Sequence, residues 1–223
     1  MGGASPGTPL PIRKDDGVSA EPPVFYFGAM SPYSWLAAER IGELLPEARW
    51  QPLFLGGLFK AVGRHSWGLD ERREEQMREC EQRAAAYGLG AISWPEPWPT
   101  NDLYVARGMT FAATRGLLEQ FALAAMRAAF LQGTDLGGPE AVLQVGRQLE
   151  IPPAELEAAL ADPAVKEDLR AATEGARTLG VIGVPTVAVE GQLFWGDDRL
   201  EEAAQSAGGE GGAGGLQPAP AGG

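Results

Sequence analysis

Ser31, in the run Ala29-Met30-Ser31-Pro32-Tyr33-Ser34, stands where an apolar strand hands over to a helix. A hydroxyl at a helix N-terminus lies beside backbone N–H groups that lack partners and at the positive end of the helix dipole. Such a position can hold a carboxylate, a phosphate or a thiolate. The same serine can equally serve only as the helix cap. Two further places could bear chemistry. Gly183-Val184-Pro185-Thr186 puts a proline at the first residue of a strand, and Trp195-Gly196-Asp197-Asp198-Arg199 sets two acids between a hairpin and a helix. Those carboxylates could cap the helix or hold the ammonium group of an amino-acid-like ligand.

The remaining inventory removes other chemistries. His65 is the only histidine and Cys80 the only cysteine, which excludes a dithiol pair, an intramolecular disulfide and a zinc site of several Cys or His ligands. No metal is expected. Ser31 lacks the glycines of a hydrolase nucleophile elbow, and any triad would have to use His65. Cys80 lies in Met77-Arg78-Glu79-Cys80-Glu81, where the flanking glutamates keep a thiol neutral, and it reads as a bystander. With 18 basic against 30 acidic residues the formal charge is −12, so neither nucleic acid nor an anionic membrane is an expected partner. No apolar region of signal-peptide length follows Arg13 and Lys14, and Arg127 interrupts the apolar stretch 121–130. The expected setting is the reducing cytoplasm.

The elements that must position these residues follow from pattern. Residues 24–27 read as a buried strand, and Ser31-Pro32 opens a helix whose apolar stripe includes Trp35, Leu36, Ile41 and Leu44. Residues 50–55 read as a second strand, giving a β-α-β start. A mostly exposed helix is expected over 70–87, a proline-rich loop over 92–101, core helices over 103–132 broken near Gly108 or Gly116, and helices over 139–149, 153–160 and 163–179. Residues 186–189 and 193–195, linked by Glu190-Gly191-Gln192, read as a hairpin, and a last helix spans 199–207. Pro- and Gly-rich composition marks 1–23 and 207–223 as tails. The pattern predicts an α/β chain in which 24–58 and 180–206 form a thioredoxin-like domain and 59–179 a helical insertion.

Phe25-Tyr26-Phe27 with Ser31-Pro32-Tyr33-Ser34-Trp35-Leu36, the run Pro52 through Gly56-Gly57 to Lys60, Trp98-Pro99-Thr100-Asn101-Asp102-Leu103, and the stretch 180–199 together resemble one family. They are similar to the 2-hydroxychromene-2-carboxylate isomerases and their relatives, the kappa-class glutathione transferases, a branch of the DsbA-like thioredoxin fold with an inserted all-helical domain. In that branch a serine pair, here Ser31 and Ser34, replaces the dithiol, so the resemblance implies that the thiol arrives with glutathione. Ser31 would then be catalytic, lowering the pKa of that thiol from about 8.5. The resemblance further implies that Pro185 is cis and that the Val184 backbone pairs with the glutathione peptide. The turn Trp195-Gly196-Asp197-Asp198 would hold the γ-glutamyl end, with Asp198 the first choice for its ammonium and Asp197 the second.

Arg73 stands where kappa-class relatives carry a base for the glycine carboxylate. Lys60 would steady the carboxylate of a small aromatic substrate and Asn101 its polar groups, with Phe59, Trp67, Trp94 and Trp98 as an aromatic wall. Arg64-His65 departs from the asparagine common after the residue matching Gly63. The implied activity is isomerisation of an unsaturated aromatic acid by reversible thiolate addition, in a homodimer. A transferase conjugating glutathione to electrophiles would use the same site, and a non-catalytic binding module would use the Pro185 edge; both stay open at the level of sequence.

Overall fold

The computed structural model describes residues 21–208. Most of both expected tails lies outside them. Strand β1 (Val24–Phe27) is buried on both faces, Phe25 and Phe27 joining one apolar cluster and Tyr26 the other, as the alternation of a strand requires. On one side it pairs in parallel with β2 (Arg49–Pro52), reached through α1 (Pro32–Leu44). On its other side it pairs antiparallel with β3 (Thr186–Val189), and β4 (Gln192–Trp195) closes the sheet antiparallel, in the order β2-β1-β3-β4.

The hairpin link is shorter than the sequence suggests. Gln192 already pairs with Val189, so only Glu190 (φ 48°) and Gly191 (φ 82°) turn the chain. Two successive residues at positive φ match the twist of a tight hairpin, which a three-residue link would not need. The second strand also ends early, at Pro52. Leu55 opens α2 (Leu55–Val62) because its N–H donates to Asp102 Oδ2 at 3.0 Å, a cap supplied from 47 residues downstream.

After a single 3-10 turn at Trp67–Leu69 comes α3 (Arg73–Ala86), shorter than expected at its start. Helices α4 (Leu103–Thr114) and α5 (Leu118–Gln132) part at Gly116, whose φ of 68° a glycine accepts freely; Gly108 stays inside α4. Helices α6 (Pro139–Gln148), α7 (Pro153–Ala161) and α8 (Pro163–Thr178) each begin on a proline, whose missing N–H costs nothing there. A 3-10 turn at Asp197–Arg199 leads into α9 (Leu200–Ala207).

Helices α1 and α9 cover the sheet face that carries Phe25, Phe27, Val187 and Phe194. Tyr26, Leu53, Leu58, Ala176 and Val181 form the opposite layer, where α8 packs on α2 and on β2. Trp35 of α1 stacks on Phe130 of α5 with ring centroids 5.8 Å apart, so the helical block and the sheet share one continuous core.

Candidate functional site

Ser31 caps α1 through both of its oxygens. Its Oγ accepts the Ser34 N–H at 3.2 Å and its carbonyl accepts the Trp35 N–H at 3.1 Å. Ser34, fully buried, accepts the Gly28 N–H at 3.3 Å and so ties the helix start to the end of β1. Because the cap uses a lone pair of Ser31, the hydroxyl proton remains free to donate. Pro32 has no N–H, and the Tyr33 N–H makes no hydrogen bond among the described residues. Capping and donating are therefore compatible: two donors converge at the positive end of α1.

They open into a cavity of about 420 Å³, bounded by the start of α1, the Gly183-Val184-Pro185 segment, the turn from Trp195 to Asp198, and Arg64 to Trp67 with Trp98. The Val184–Pro185 peptide is cis. Neither the N–H nor the C=O of Val184 has a partner among the described residues, whereas Pro185 C=O accepts the Gly196 N–H at 3.0 Å. The segment thus presents an open stretch of backbone beside the serine. Two glycines keep it so. A Cβ on Gly183 would stand 2.9 Å from the Trp195 indole nitrogen, and one on Gly196 (φ 123°) would stand 2.4 Å from Asp198 Oδ1.

The two acids of the turn differ sharply. Asp197 is 1% exposed and accepts from Arg83 Nη1 at 2.8 Å and from the Tyr87 hydroxyl at 3.1 Å. Burial pushes its carboxyl above the ordinary value, opposed by the Arg83 guanidinium and the Tyr87 hydroxyl. Asp198 keeps 56% of its side chain exposed, with Arg83 Nη1 at 3.4 Å. Asp198 is open to a ligand, while Asp197 fastens α3 to the turn. Cys80 is fully buried close by, its thiol pushed up to about 12 chiefly by burial. The thiol is neutral, as expected, but burial and not the flanking glutamates is the main cause, Glu79 contributing less.

A second cavity of about 690 Å³ adjoins the first, sharing Met30, Leu55, Phe59, Arg64, His65 and Ser66 with it. Lys60 and Asn101 lie here and not beside Ser31. Its floor holds Asp102, 4% exposed, whose carboxyl burial raises to about 6 against the Leu55 and Gly56 N–H groups. Of the aromatic residues, Trp67 and Trp98 line the first cavity and Phe59 both, and Trp94 backs Trp98 at 4.9 Å. Trp98 is held by its indole N–H donating to the Met30 carbonyl at 3.2 Å. Arg73 lines neither cavity; its guanidinium reaches Glu74 and, at 3.4 Å, the Trp98 carbonyl. Arg64 lines both, its guanidinium 4.9 Å above the Trp195 ring.

Arg83, Tyr87 and Asp102 escape a reading of the sequence, since their partners lie far along the chain; the one local hint was the spacing of Arg83 and Tyr87 on one helix face. Among the described residues no group of three or more His, Cys, Asp or Glu side chains is placed to hold a metal ion, and no helix is long and apolar enough to cross a membrane.

The chain is 25% identical over 186 residues to a 2-hydroxychromene-2-carboxylate isomerase from Sphingobium xenophagum, covering 79% of this chain and 93% of that protein. Among solved structures, a 2-hydroxychromene-2-carboxylate isomerase superposes with a TM-score of 0.74 at 22% identity, over 83% of this chain and 94% of the other. The cytosolic disulfide reductase DsbM from Pseudomonas aeruginosa with GSH superposes with a TM-score of 0.57 at 12% identity, over 83% and 95%. Residues 24–207 match the DSBA-like thioredoxin domain, a span that begins at β1 and ends with α9. A sheet in this order, a cis proline opening β3 opposite the capped N-terminus of α1, and that match over most of the chain make this protein a member of the DsbA-like thioredoxin family.

Proposed function

We propose that the chain is a glutathione-dependent isomerase acting on a small unsaturated aromatic acid, of the kind the 2-hydroxychromene-2-carboxylate isomerases represent. The observation that carries the reading is the Ser31 hydroxyl, which has no acceptor among the described residues, beside the Tyr33 N–H at the start of α1, which has none there either. Two donors and a helix dipole favour a thiolate over a thiol, and the chain's own thiol is buried and neutral. A sulfur from outside therefore suits the site better than Cys80 does.

Glutathione fits what surrounds these donors. A cavity of about 420 Å³ lies within the range of small-ligand sites, about 300–1,000 Å³. The unpaired Val184 N–H and C=O suit the antiparallel pairing of an extended peptide. The exposed Asp198 carboxylate suits an ammonium at one end. For a carboxylate at the other end Arg64 is better placed than Arg73, because it lines the cavity and has no carboxylate partner among the described residues.

When bound, glutathione supplies a sulfur nucleophile for reversible addition to a conjugated carbon. The protein's part is positional and electrostatic. Ser31 Oγ–H and Tyr33 N–H donate toward the sulfur position, and Met30, Trp67 and Trp98 supply apolar wall around it. In the adjoining cavity Lys60 holds the acceptor's carboxylate and Asn101 its polar groups, with Phe59 between the two occupants.

Titration with reduced glutathione, against S-methyl glutathione as the control that cannot ionise, tests the reading. Binding that depends on the free thiol, a thiolate absorbance band at neutral pH, and loss of that band in Ser31→Ala are expected. Turnover of a chromene carboxylate without net redox change completes it. Absence of binding by either compound would overturn it.

A further inference from the structure

A third cavity, of about 420 Å³, opens between α2, α4 and α8, outside the site described above. Its floor is apolar: Phe54, Leu58 and Leu169, the last two almost fully buried. Its rim is cationic. Arg107 of α4 and Lys166, Arg170 and Arg177 of α8 stand around it against one carboxylate, Glu174. In a chain of net charge −12 this is a local reversal of sign.

The reversal arises from the spacing on α8. Lys166, Leu169, Arg170, Thr173, Glu174 and Arg177 recur at the three- and four-residue intervals that place them on one helix face. Not all of that charge is neutralised internally. Arg177 is paired with Glu174 and Arg170 with Glu167, but Lys166 and Arg107 have no ion-pair partner among the described residues. Arg107 donates Nη1–H to the Leu160 carbonyl at 3.2 Å and keeps a buried Nε–H without an acceptor. A buried donor left unpaired is costly, and an anionic ligand at this rim would relieve it.

We propose that this cavity is a second ligand site, for a small amphipathic carboxylate: an apolar tail on Phe54, Leu58 and Leu169, with its carboxylate among Arg107, Lys166 and Arg170. The site is independent of the thiol reading, and its proof or failure leaves that reading where it stands. It is nonetheless joined to the second cavity through a common wall, since Phe54 and Gly57 line both. A Cβ on Gly57 would meet the Phe54 ring at 2.6 Å, so the ring is closely seated in that wall.

Octanoate and the neutral octan-1-ol are the probes, titrated calorimetrically into the full chain, with methyl shifts of Leu58 and Leu169 followed by NMR. Octanoate is expected to bind saturably, more tightly than octanol, and to move both methyl signals. Lys166→Met with Arg170→Met, both exposed and safe for folding, should weaken octanoate about tenfold, as two partly screened charge contacts would. Lys60→Met in the second cavity should leave octanoate affinity unchanged. Equal binding of octanoate and octanol, an unaffected double variant, loss of binding in Lys60→Met, or a second copy of the chain covering the groove in sedimentation would each overturn the proposal.

Discussion

Asp102 offers the most quantitative test of how the site is held. Its carboxyl is 4% exposed and accepts the N–H that starts α2, yet burial outweighs those bonds and raises its pKa from 3.8 to about 6. A folded-state pKa above the unfolded one means that the native chain binds the proton more tightly. The associated stability is fully present below about pH 3.8 and is lost as pH rises through about 6. At 1.36 kcal/mol per pH unit, the whole effect is about 3 kcal/mol. Asp102→Asn keeps an oxygen for the Leu55 N–H and removes the titration. Its new amide adds a constant offset that pH does not change. Urea denaturation of both proteins at intervals from pH 4 to pH 7 should therefore show the variant gaining about 2.4 kcal/mol relative to the parent, the rest of the effect falling below pH 4, with equal m-values. Parallel stability curves across that window would refute the reasoning, and would mean that solvent or a counter-charge reaches the carboxyl.

Four other substitutions probe separate parts of the molecule. Gly68→Ala would bring a Cβ to 2.6 Å from the Trp98 ring and 2.7 Å from Pro99 Cδ, so calorimetry should find a lowered Tm, with overpacking costing about 1–3 kcal/mol. Cys80→Ala should retain turnover, and the native thiol should resist an aromatic disulfide reagent until denaturant is added, because it is fully buried and protonated to about pH 12. Asp197→Ala should cost about 2 kcal/mol or more in denaturant titrations, because the Tyr87 hydroxyl loses its acceptor and Arg83 loses its buried one, keeping Glu79 and Asp198. Asp198→Ala should change stability by less than about 0.5 kcal/mol while weakening glutathione binding.

What could be read from the chain was what local physics decides. Ser31-Pro32 marks a helix start whether or not anything else is known, because the cap and the proline act within one turn. Pro139, Pro153 and Pro163 announce their helices in the same way. The start of α2 was hidden for the opposite reason. Leu53-Phe54-Leu55 is an apolar run that suits a strand, and the acid that turns Leu55 into a helical residue lies 47 positions away. Arg73 shows the reach of resemblance without geometry: the residue type fits the expected role, but its guanidinium turns to Glu74 and the Trp98 carbonyl. The neighbouring departure, Arg64, is the cation that lines the site.

The pair Asp197 and Asp198 shows why a motif can name the right turn and still leave its chemistry undivided. Adjacent residues in a 3-10 turn point in different directions, so one of two acids is carried inward and the other outward. The inward one must find compensation or lose its charge. Arg83 of α3 and Tyr87, which caps the end of that helix, supply it together, and Arg40 of α1 donates to the Asp197 carbonyl at 3.2 Å. Helices α3 and α1 thus converge on Asp197, the first at its carboxylate and the second at its backbone carbonyl, and α1, the wall carried by α3 and the end of β4 are held around the cavity. The outward acid is left with a single loose approach to Arg83. Under the proposed function, fastening of the site and recognition by it fall to neighbouring residues of the same type. Charge removal at position 197 should accordingly loosen the fold, whereas the same change at 198 should alter only what binds.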